Sequence, residues 1–293
     1  MKKQSLLVRF LSWILGIVVA VVVVIGGAYV VIKMKYDVDI FKTFNQVRAL
    51  SKPVDENAVL TNKFDADSLD SAVVKINASI PTLITKNAED KYEISSTSVV
   101  DPNVQSNIRL TDKEWGALLN SLFIGKSLED NPITIGNETI PFELVEFDFS
   151  DFSVENKSVN LTTVFKLDAR LIKGKMTSFV TSLLKNYVPD YFYLFTTTKV
   201  TKTETAFEYQ LSEQYLKVNN LSKEDSMTLF STLNKFLGIG EPQEFAGKFV
   251  NVIADAILSS EADKGFMYIM KSYNATDFAF VQDAEVTYLE VIA

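Results

Sequence analysis

The sequence predicts an α+β fold: a single N-terminal transmembrane helix plus an extracytoplasmic domain with a bent antiparallel sheet packed on helices. Three observations predict it. Residues 10–32, FLSWILGIVVAVVVVIGGAYVVI, hold no charged side chain over 23 positions. Beyond them, stretches with apolar residues three or four apart alternate with long stretches of two-residue alternation, the periods of helix and strand. Two of the long alternating stretches change phase partway, as a β-bulge requires, and bulges bend sheets.

The apolar run comes first because it organises the rest. As a helix it reaches roughly 35 Å, enough to cross a bilayer with some tilt. A signal peptide would have a core of only about 7–15 residues, and this run continues through Tyr29, Val30, Val31 and Ile32 past the small residues Gly26 and Ala28. A retained anchor in the cell membrane is therefore expected. Lys2, Lys3 and Arg9 precede it and a long polar remainder follows, so the N-terminus is placed in the cytoplasm and the main domain outside. The chain divides into a cytoplasmic head (1–9), the transmembrane helix (10–32), a membrane-proximal segment (33–104) and the main α+β domain (105–293).

Charge and composition exclude several functions. The chain carries a net charge of −8; its first 36 residues hold five basic and no acidic residues, leaving −13 for the remainder. Such a domain repels nucleic acid, so no nucleic-acid partner is expected. There is no histidine and no cysteine. That removes Ser-His-Asp and Cys-His catalysis and the usual nitrogen and sulfur metal ligands. No cofactor and no metal site are expected.

In chain order, Ile40, Phe41, Phe44, Val47 and Leu50 recur at helical spacing, and Ser51-Lys52-Pro53 ends that helix. A polar stretch with Asp55, Glu56 and Asn57 reads as a connection. Leu69, Val73, Ile76 and Ile80 form the stripe of a second helix, broken by Pro81. Residues 92–100 read as a strand. Leu110-Thr111-Asp112-Lys113-Glu114-Trp115 is a capping box with a hydrophobic staple, and Trp115, Leu118, Leu119, Leu122 and Phe123 continue as one apolar face.

Residues 140–149 change phase near Val145-Glu146. Residues 159–171 alternate strictly, as in a half-buried antiparallel strand. A helix is expected over 176–187. Residues 191–201, YFYLFTTTKVT, are apolar on both faces in their first half, so cover is expected on both sides. The next strand changes phase near Glu213. Helices at 222–237 and 243–258 and a strand-like end at 278–291 complete the chain.

The stretch LTDKEWGALLNSLF (Leu110–Phe123) resembles membrane-anchored extracytoplasmic proteins of the YpmS-like type, and YLKVNNLSKEDSMTLF (Tyr215–Phe230) resembles their later strand-to-helix junction. The pattern is also similar to tubular lipid-binding domains, in which a curled sheet wraps a long helix. The resemblance covers about residues 105–240 and implies a lipid-related role in the cell envelope.

Chemistry-bearing motifs are weighed against plain structural readings. Ser182-x-x-Lys185 lacks the K-T-G partner of penicillin-interacting enzymes. Asp65, Asp67 and Asp70 lack the glycine and the twelfth-position glutamate of a calcium loop, and read as a helix start. Glu146, Asp148 and Asp151 could pair for acid–base work, but alternation with Phe147 and Phe149 reads as the wet face of a strand. No catalytic residue is assigned and a non-enzymatic protein is expected.

The apolar pocket candidates are Phe147, Phe149, Phe165, Tyr191, Tyr193, Phe195, Phe207 and Tyr209. Two functions follow. One is a membrane-anchored binding protein for lipid or another long apolar envelope molecule. The other is a structural or regulatory subunit docking on a membrane or cell-wall synthesis complex. The expected partners are the bilayer, a lipid ligand and an envelope protein.

Overall fold

A computed structural model of the chain describes residues 40–95, 107–124, 132–135, 138–168, 170, 189–237, 242–261 and 265–293. The expected span at 10–32 and the helix expected at 176–187 lie outside them. Among the described residues no helix is long and apolar enough to cross a membrane.

The chain opens with helices α1 (Ile40–Leu50), α2 (Glu56–Val59) and α3 (Ala66–Ser79) and the short hairpin β1 (Ile84–Lys86) and β2 (Tyr92–Ile94). Strand β3 (Ile108–Thr111) leads into α4 (Asp112–Leu119), which ends in a π-helical turn, Asn120–Ile124. Next come β4 (Pro132–Ile135), β5 (Glu138–Ser153), β6 (Ser158–Asp168), β7 (Tyr191–Lys202) and β8 (Tyr209–Val218). Helices α5 (Lys223–Leu237), α6 (Pro242–Leu258) and α7 (Phe266–Lys271) and the hairpin β9 (Asp277–Asp283) and β10 (Val286–Ile292) finish the chain. The architecture is α+β, with antiparallel sheets packed on helices, as the periodicities predict.

Strands β4 to β8 form one antiparallel sheet in chain order. Both expected bulges are present. In β5 the register skips Val145 between Leu144 and Glu146. In β8 two residues, Glu213 and Gln214, stand opposite Thr198; Glu213 has φ +52° and Thr198 donates to the Ser212 carbonyl at 2.8 Å. A second shift in β5 lies between Ser150 and Ser153, where Asp151 has φ +50°. Each extra residue bends its strand and adds twist.

A smaller antiparallel sheet has the order β3-β10-β9. Sequence pattern treats 278–291 as one strand-like stretch. The structure makes it a hairpin, because Ala284 turns the chain at φ +53°.

The inner face of the large sheet holds the core. Helix α4 packs on β5, α3 packs on α4, and α6 packs on β7 and β8. The capping box is complete: Glu114 N–H donates to Thr111 Oγ1 (3.3 Å) and Thr111 N–H donates to Glu114 Oε2 (2.8 Å). Glu114 also takes Ser71 (2.5 Å) and Lys75 (2.6 Å) from α3, so one carboxylate caps α4 and ties two helices together. Burial raises its pKa, but those donors outweigh burial and the net shift is downward.

Leu110 and Trp115 are both fully buried, as the staple requires, and the Trp115 ring meets Phe266 edge-on at 5.0 Å. Gly116 permits the close approach of α4 to β5. A Cβ there would lie 2.7 Å from Phe147 Cβ and closer still to the Phe64 ring. Leu50, Ile76, Ile80 and Ile84 share one core with Leu110, Trp115 and Phe147. The segments on either side of the expected 104/105 boundary therefore pack together.

Candidate functional site

The structure divides the eight aromatic pocket candidates among three places. Phe147, Phe149 and Phe165 are buried on the inner face. There Phe147 meets Phe149 at 5.1 Å, Phe149 meets Phe280 at 5.6 Å and Phe165 meets Phe142 at 6.0 Å. These rings pack on one another at the described centre of that face.

Tyr191, Tyr193 and Phe195 belong to the outer face, in a second apolar cluster with Val164, Leu60, Val54, Val59 and Val145. Strand β7 is thus covered on both sides, as its doubly apolar sequence requires. Phe207 and Tyr209 lie at the far end of the sheet. Phe207 N–H donates to Asp277 at 2.7 Å and the Tyr209 hydroxyl donates to Asp255 at 2.8 Å. Beside them the buried Lys202 ammonium meets Asp277 at 3.1 Å and donates to the carbonyls of Thr203 and Thr205 at 2.8 Å. The eight residues thus fall on both faces of the sheet, five with the main core and three with the outer cluster.

What covers the outer face is the stretch that reads in the sequence as a polar connection. Residues 54–64 form a strap. Asp55 caps α2 by accepting from Asn57 N–H at 3.1 Å. Val54, Val59 and Leu60 then press on Val164, Tyr193 and Phe195. Lys63 pairs with Glu146 as an antiparallel bridge along β5, and Phe64 reaches Gly116 on α4. The strap therefore wraps from the outer face around the β5 edge to the inner side. Covering an open strand edge protects it from pairing with other chains.

Two polar clusters hold the strap, and their electrostatics differ in sign. At its first end the Glu56 carboxylate accepts from Lys166 (2.5 Å), Lys63 (3.2 Å) and the Tyr193 hydroxyl. Lys166 above all, with Tyr193, holds its pKa down to about 2 against a smaller opposing effect of burial. Burial and Glu56 together push the Tyr193 hydroxyl up. Lys166 also stands over the Tyr191 ring at 4.6 Å.

At the other end Asn62 Nδ2 donates to Asp112 Oδ2 (2.7 Å), Asp148 Oδ1 (2.9 Å) and the Phe147 carbonyl (3.3 Å). Burial pushes Asp148 up to about 6, helped by the charge of the neighbouring Asp112. Glu146 is 6% exposed; burial raises its pKa while the backbone amides of Asn62 and Thr61 lower it, and its Oε2 has no partner among the described residues. Of the three carboxylates read as a wet strand face, only Asp151 is exposed, accepting from Asn160 at 2.8 Å. Glu146 and Asp148 are covered because the strap lies over them, a contact made across 85 or so positions of sequence.

The Asp65 helix start is confirmed by a capping box with Ser68. Among the described residues no three Asp, Glu, His or Cys side chains are grouped to hold a metal ion. Ser182 and Lys185 lie outside the described residues. No protein-family model, curated protein or solved structure matches the chain.

Proposed function

We propose that this chain is a non-enzymatic, membrane-anchored extracytoplasmic docking subunit that holds a folded domain at a fixed height over the bilayer for an envelope partner. The observation that supports this reading is how the anchor-proximal segment enters the domain. Gln46 of α1 donates to Asp225 of α5 at 2.9 Å, Asn219 donates to the Leu50 carbonyl at 3.3 Å, and Leu50 joins the main core. The strap then wraps the sheet. Only residues 33–39 separate the expected anchor from α1, a reach of less than about 30 Å.

The lipid-binding expectation needs apolar room on the inner face. At its described centre that face carries Phe149 in contact with both Phe147 and Phe280, which favours the docking reading. Native mass spectrometry of the full-length chain, extracted from its own membranes in mild detergent, tests the choice. The docking reading expects a stoichiometric protein partner and no tightly held lipid. One lipid per chain, displaced by a titrated fatty acid, would overturn it in favour of the lipid binder.

A further inference from the structure

We infer that the strap's grip on the β5 edge is controlled by a single proton: Asp148, set beside Asp112 beneath Asn62, holds it while the strap is closed and releases it to solvent when the strap lifts. The inference stands on the placement of three carboxylates from two elements beneath one strap residue. Asp148 and Glu146 come from β5 and Asp112 from the first turn of α4. Asn62 bridges Asp112, Asp148 and the Phe147 carbonyl.

With Asp148 protonated, both carboxyls still accept from Asn62 and Asp148 no longer sets a negative charge beside Asp112. Without it, two half-buried carboxylates repel across the seam. The charged neighbours on every packed element are Glu146 on β5, Asp112 and Lys113 on α4, and Lys63 on the strap; across β6 stands the uncharged Thr162. Lys63 is engaged by Glu56 at 3.2 Å, which limits what it offers the pair. Lifting the strap returns Asp148 to water, where its ionised form is favoured.

The direction follows from linkage. Asp148 titrates near 6 in the closed state and near 3.8 when freed. The closed strap is therefore favoured at low pH, and that advantage is lost as pH rises through about 6. Between pH 5 and 8 the two values correspond to a loosening of up to about tenfold. Glu56 titrates near 2 and stays ionised throughout, so the first end of the strap does not respond in this range.

Hydrogen exchange on the full-length chain tests this, read as protection factors for a peptide covering residues 58–66. Protection should fall by up to about tenfold from pH 5 to pH 8, while residues 192–200 of β7 keep theirs. Asp148→Asn, which keeps the shape and removes the charge, should hold its protection at pH 8; Asp112→Asn serves if that variant does not fold. Glu146→Gln should retain the pH response. Equal protection of the wild-type strap at both pH values would overturn the inference. So would a pH response that survives in both Asn variants, or one that disappears in Glu146→Gln.

Discussion

On the inner face of β5, Phe147 and Phe149 meet rings and methyl groups; on its outer face, one residue away, Glu146 and Asp148 meet the strap. The first surface is held by shape. Buried rings pack edge to face, and no charge is needed to keep them there. The second is held by a small apolar cluster rimmed with ionised groups, so pH and salt act on it directly. The same strands carry both because alternation sends neighbours to opposite sides, and the bulge at Val145 keeps Leu144 with Phe147 on the inner face. One polypeptide thus combines a core held by packing with a seam held partly by charge.

The largest expected effect breaks the inner face alone. Trp115 is fully buried, and its indole N–H has no hydrogen-bond partner among the described residues, so it acts through packing. Trp115→Ala should cost about 3–5 kcal/mol in urea unfolding, with the same cost at pH 5 and pH 8. A loss under about 0.5 kcal/mol would mean that Trp115 lies at a tolerant surface site.

A smaller effect joins the two faces. Gly116→Ala should cost about 1–3 kcal/mol, because its new methyl would meet Phe147 from the sheet and Phe64 from the strap. Hydrogen exchange should show the strap loosened together with α4. Loosening of α4 while the strap stays unchanged would show that Phe64 does not couple them.

The smallest effect belongs to the outer face. Glu56 is a little over one-third exposed, so solvent screens its ion pairs and Glu56→Gln should cost only about 1 kcal/mol at neutral pH. Its sign with pH is the informative part. A carboxylate lowered from 4.5 to about 2 contributes stability that is present above pH 4.5 and lost as pH falls through about 2. Stability measured from pH 5 down to pH 2 should therefore fall less steeply in Glu56→Gln than in wild type. An unchanged acid limb would assign no stabilising role to the Lys166–Glu56–Tyr193 contact.

The inner face was largely legible because its signals are local and repeated. Helical stripes at 69–80 and 115–123, the Thr111–Glu114 box and the strict alternation of 159–168 are patterns within a few residues of one another. Phase changes located both bulges, at Val145 and beside Glu213. The strap left no such signal. Its residues have no sustained period, and its partners Asp148 and Tyr193 lie 86 and 137 positions away. The same loss of locality split the aromatic candidates: Phe165 and Phe195 look equivalent in sequence, but pairing sets Phe165 opposite Leu194 and Phe195 opposite Val164, on opposite faces. The closing hairpin was missed because its turn uses Ala284 at positive φ, where glycine or asparagine would have marked it.

Residues 54–64 are part of the folded domain and run along β5. A designed disulfide tests it most directly, since the chain has no cysteine of its own. Lys63 and Glu146 form an antiparallel bridge, with Cα atoms expected about 4.5–5.5 Å apart, inside the range that a disulfide spans. In the full-length protein, Lys63→Cys with Glu146→Cys should close within one chain under mild oxidation and leave the folded state intact. Thiols that stay free, or that link only between chains, would contradict the claim.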